Sequence, residues 1–97
     1  MIVVQHHFSI KDQFLENVER DLPGAFSNLS KFPGFRNARF MKPLMGKTVI
    51  MMTEWDSIGD FNQWYESEEF KKSLLRSVPD QYMESEPVVS MHEVYAP

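Results

Sequence analysis

The chain has 97 residues, 42% of them hydrophobic and 25% charged, with a formal net charge of -4 at pH 7. That is the composition of one soluble domain with room for one small core, and its ten Lys and Arg are too scattered to form a phosphate-binding stripe, which excludes nucleic acid as the expected partner. There is no cysteine, which removes disulfides, thiolate nucleophiles and sulfur-ligated metal centres together.

No apolar run approaches the roughly 18 residues needed to cross a bilayer, so no membrane association is expected. The start, Met1-Ile2-Val3-Val4, has neither a basic segment nor a small-residue cleavage site, so no signal peptide is expected and the reading is cytoplasmic. Residues 2–8 are rich in β-branched and aromatic side chains and predict a first strand. Ser9 is expected to cap a helix, because Phe14, Leu15, Val18 and Leu22 fall at helical spacing opposite Asp12, Glu16, Glu19 and Arg20. Pro23-Gly24 predicts a kink or break, since an internal proline removes one hydrogen bond and clashes with the preceding turn. Phe26 and Leu29 resume the apolar stripe until Pro33-Gly34.

Residues 35–42 predict a second strand, residues 43–46 a turn, and residues 47–55 the clearest strand in the chain. Ser57, with Asp60 three residues on, predicts a helix start whose apolar face is Ile58, Phe61, Trp64 and Tyr65. Ser67 predicts a second start, followed by Phe70, Leu74 and Val78 at a spacing of four. An acidic stretch bounded by Pro79 and Pro87 leads to a last strand over 88–95.

The order strand, helix, strand, strand, helix, strand predicts an α+β fold over the whole of residues 1–97. It is a ferredoxin-like βαββαβ arrangement with one antiparallel sheet, helices on one face, and the first and third strands central. The third strand is apolar on both faces: Val49, Met51, Thr53 and Trp55 share one, Thr48, Ile50, Met52 and Glu54 the other. Helices can cover only one of them. A homodimer, sheet against sheet, is the expected cover for the second.

Pro33-Gly34-Phe35, Lys42-Pro43, Met52-Thr53-Glu54-Trp55, Phe61-Asn62-Gln63-Trp64 and Ser67-Glu68-Glu69-Phe70-Lys71 together resemble the antibiotic-biosynthesis-monooxygenase family. The resemblance implies a dimeric α+β barrel. It also implies either a cofactor-independent monooxygenase for small aromatic, quinol-like or polyketide-like substrates, or a haem-degrading enzyme. The haem-degrading branch uses a first-strand asparagine followed by arginine, a second-helix tryptophan, and a histidine ten residues after it as iron ligand. Here Trp64 matches the tryptophan, His6 and His7 stand at the asparagine–arginine pair, and Leu74 stands at the ligand position. Leucine cannot bind iron, so haem is disfavoured and no cofactor is expected.

On this resemblance His6 and Trp64 are the candidate catalytic pair, with His7, Phe61, Met52 and Leu74 as candidates to line the substrate site. Each has a plainer reading in packing. Trp64 and Leu74 both fall on apolar helical stripes. His6 shares a strand face with Ile2, Val4 and Phe8, where it could be a hydrogen-bonded core residue, a general base or a metal ligand. His92, on the last strand, is expected beside the first strand, where it could meet His6 or His7. No ligand set with metal-binding spacing, glycine-rich phosphate loop or Ser-His-Asp order is present. The reading is a homodimeric oxygenase for a small molecule, with a haem-binding or haem-degrading protein whose iron ligand has moved and a non-catalytic ligand-binding dimer as its rivals.

Overall fold

A computed structural model describes all 97 residues. The elements run β1 (Ile2–Ser9), α1 (Leu15–Ala25), β2 (Phe35–Met41), β3 (Thr48–Trp55), α2 (Ile58–Tyr65), α3 (Glu68–Ser77) and β4 (Val88–Glu93). They build one four-stranded antiparallel sheet in the order β2-β3-β1-β4, so the first and third strands are central as expected. This is the ferredoxin-like α+β fold. No helix is long and apolar enough to cross a membrane.

β1 and β3 alternate strictly between buried and half-buried positions. Ile2, Val4, His6 and Phe8 pair across to Trp55, Thr53, Met51 and Val49, and these eight form the inner face under the helices. Phe40 and Ala38 of β2 continue that face. The helices close it with Val18, Leu22, Phe61, Trp64 and Phe70, making one core. At about 25 cal/mol per Å² of apolar area, burial of these aromatic and aliphatic side chains is the main force that holds the layers together.

Local signals explain most boundaries. Ser57 and Ser67 cap α2 and α3, accepting hydrogen bonds from the backbone N–H groups of Asp60 (3.2 Å) and Phe70 (3.1 Å). Ser9, by contrast, caps nothing: it ends β1, and the chain enters α1 through a 3₁₀ turn at Asp12–Phe14. Pro23 does not break its helix midway. It lies in the last turn of α1, and the helix ends two residues later at Ala25, so the expected interruption takes the form of a helix end. Tight turns from Pro23 and Gly24, then a 3₁₀ turn at Leu29–Lys31, keep Phe26 and Leu29 in the core.

Candidate functional site

His6 points from β1 toward the helices and is 2% exposed. Its ring sits among five others, with centroids at 5.7 Å from Phe70, 5.8 Å from Tyr65, 6.1 Å from Trp64, 6.2 Å from Phe8 and 6.3 Å from Phe61. Trp64 meets it edge-on, at 85°. Neither ring nitrogen has a hydrogen-bond partner. Burial, helped by the positive charge that His7 can carry nearby, lowers the imidazole from its ordinary 6.5 to about 4, so the ring is neutral at pH 7.

Two other buried polar groups share this face without partners: the Thr53 hydroxyl and the Trp55 indole N–H. Thr53 lies opposite Val4 on β1, one inward-facing position along from the His6–Met51 pair, and Trp55 lies opposite Ile2. Trp55 stacks on Trp64 at 5.3 Å. Four unsatisfied polar atoms in one small core is a costly arrangement, at about 1–3 kcal/mol for each group left unpaired. The sequence places Thr53 and Trp55 on one face of the third strand with Val49 and Met51, without deciding which face turns inward, and gives them no role; the signal for Thr53 is a hydroxyl on an otherwise apolar strand face.

The structure therefore brings His6, Phe61 and Trp64 together and separates the other candidates. His7 and Met52 lie on the outer face of the sheet, where His7 Nε2 is 3.2 Å from Gln5 Oε1. Leu74 packs against the core from α3 and borders an acidic surface cleft with Asp80, Glu84 and Glu86. His92 lies opposite Val3, while His7 lies opposite Val88, four residues away. At about 3.3 Å per residue the two histidines are separated by about 13 Å, and His6 faces the other side, so neither pairing with His92 forms.

Trp64 also lines a cleft of about 310 Å³ between the end of α1, with the segment that follows it, and α3, together with Phe26, Leu29, Glu69, Lys72 and Arg76. His6 does not reach this cleft; Trp64 and Phe70 stand between. The cleft residues come from two stretches, 25–29 and 64–76, more than thirty positions apart in the chain, and no sequence pattern unites them. None of them is a histidine, cysteine, methionine or tyrosine. The cleft thus supplies no side chain of the kinds that hold haem iron, and Leu74, at the position of the haem-degrading branch's ligand, opens on a different cleft. These residues do not fit an axially ligated haem.

A single antiparallel sheet roofed on one face by helices, with a buried histidine–tryptophan contact between the layers, defines a small ferredoxin-like α+β domain. A sequence model of antibiotic biosynthesis monooxygenases matches residues 1–74, and the chain belongs to that family. A comparison with curated proteins returned no match. Among solved structures, a conserved protein from Methanosarcina mazei Go1 superposes with a TM-score of 0.80 at 16% identity, over 94% of this chain and 89% of that one. An antibiotic biosynthesis monooxygenase superposes at 0.82 and 11% identity, over 99% of this chain and all of the other. An anthrone oxidase-like protein gives 0.76 and 21% over 93% of this chain, which spans only 42% of that larger protein. At these identities the likeness establishes a shared fold.

Proposed function

We propose that the protein is a cofactor-independent monooxygenase acting on a small aromatic, quinol-like or polyketide-like substrate, and that it works as a homodimer. The observation that carries this reading is His6, a buried neutral imidazole with both nitrogens free and the Trp64 ring perpendicular to it. Family membership supports it. The substrate enters over Trp64 and shifts the Trp64 and Phe70 rings that cover His6. The imidazole, a weak base while its pKa is held at about 4, takes a proton from the acidic C–H or O–H of the substrate as the anion forming beside it favours the imidazolium, and that electron-rich anion reduces dioxygen directly. For an anthrone-type CH₂ group, one oxygen atom of O₂ becomes the new carbonyl oxygen. The other leaves as water with the two hydrogens, so the substrate is its own reductant. Thr53 and Trp55 stand ready to hydrogen-bond oxygen atoms brought into the core.

One observation favours a second reading, a ligand-binding dimer without chemistry: the His6 ring is enclosed by aromatic side chains and borders no cleft. Oxygen uptake with anthrone and with a simple quinol separates the two. The oxygenase reading expects dioxygen-dependent turnover that falls about a hundredfold or more in His6→Ala, with the fold retained. Turnover indifferent to that substitution returns His6 to packing, and binding without any oxygen uptake leaves the non-catalytic dimer.

A further inference from the structure

We propose that the cleft between α1 and α3 recognises a carboxylate, and that its ligand is a planar aromatic acid held at the acidic end by Lys72 and Arg76. This rests on the reading of that cleft as the substrate's way in. Lys72 and Arg76 lie one helical turn apart on α3 and both line the cleft. Neither has a carboxylate within 4 Å, although the chain as a whole is acidic; Lys11, Arg39 and Lys42 are also without an ion-pair partner, but none of those three lines this cleft. The cleft's one acidic side chain, Glu69, is bound by Lys31 across the α1–β2 connection, which leaves its charge neutralised. Arg76 uses one N–H on the Ala25 carbonyl at 3.4 Å, a long bond that leaves the other guanidinium donors open.

Phe26, Leu29 and Trp64 also line the cleft, but at 6%, 3% and 1% exposure they meet a flat hydrocarbon only as the rings shift, as entry over Trp64 requires. A guanidinium and an ammonium side by side suit a carboxylate at its edge, since charge-assisted bonds to such a group are stronger than neutral ones. Helix polarity adds to the preference for cations in this last part of α3, but that effect concerns the helix alone and does not place two unpaired charges at the mouth of a cleft.

The test uses two probes of equal shape, 2-naphthoate and its neutral amide, 2-naphthamide, titrated by calorimetry and by amide chemical shifts. Wild type should bind the acid about tenfold more tightly than the amide, with shifts concentrated in residues 25–29 and 69–76. Lys72→Gln and Arg76→Gln together should abolish that preference while the amide binds as before; both residues are exposed, so the fold is not at risk. Equal affinity for acid and amide, a preference that survives the double variant, or shifts located elsewhere would overturn the proposal. Its failure is separable from that of the oxygenase reading. Acid-selective binding without oxygen uptake sinks only the oxygenase, and equal turnover of a neutral anthrone and its carboxylated analogue sinks only the carboxylate site.

Discussion

His6 shows how a single position carries both a stability cost and a chemical opportunity. Its folded pKa of about 4 lies below the ordinary 6.5 because burial disfavours the imidazolium, so between those values the unfolded chain binds the extra proton. Stability from this group is therefore complete above about pH 6.5 and is lost as pH falls toward 4. The size follows from the shift, about 3 kcal/mol at 1.36 kcal/mol per pKa unit. His6→Phe keeps an aromatic ring in the box and removes the titration. Urea unfolding at pH 7 and pH 4 should show the wild type losing about 3 kcal/mol more than the variant, the carboxylates being common to both. Parallel losses would mean that the histidine is not buried as a neutral ring.

At the scale of elements, the α2 start and the β2 start are locked together at one atom's clearance. Gly34 has φ of 79°, and a Cβ placed there would lie 2.1 Å from the Asp60 carboxylate in the first turn of α2. The Gly34 carbonyl also accepts a hydrogen bond from the Asp56 N–H at 2.8 Å, tying the end of β3 to the same corner. Gly34→Ala should therefore destabilise by about 2 kcal/mol or more, through positive φ and displacement of Asp60, read as a lowered thermal midpoint. Such corners are only half legible in sequence. Pro33-Gly34 announces a turn, but the approach of Asp60, twenty-six residues on, belongs to the tertiary fold. The same division runs through the other elements. Ser57 and Ser67 are read correctly because a cap is a contact three residues long. Ser9 is misread because β1 pairing with Thr48 extends the strand over it, whereas Pro23-Gly24 marks the end of α1 to within two residues. Strand parity and helical spacing each point a side chain inward, so the meeting of His6 and Trp64 is readable. The Lys72–Arg76 cleft is not, because the segment that follows α1 and the helices α2 and α3, far apart in sequence, form it together.

At the scale of the whole molecule, the sheet has a covered side and an open one. The inner face is sealed by helices, while the outer face presents Val3, Gln5, His7, Ile50 and Met52 only half buried, flanked by Arg39 and Glu54. Beyond it, β4 and the residues after it expose Val88, Val89, Met91, Val94 and Tyr95. A face that is apolar at its centre and carries both signs of charge at its margin is suited to pair with itself about a two-fold axis, where each Arg39 can meet a partner's acidic side chain. An interface of this kind should bury more than about 2,000 Å² in total, as obligate homodimers do. Light scattering should therefore give twice the 11.4 kDa chain mass at micromolar concentration. Met52→Glu places a charge at the centre of the outer face without touching the core beneath α2, and it should yield monomer, or material that aggregates through the exposed strands. A wild-type chain that runs as a monomer would remove the homodimer and leave the two-sided apolar pattern of β3 without its explanation. A Met52→Glu chain that stays dimeric would move the contact to the exposed residues of β4 and the carboxyl-terminal tail.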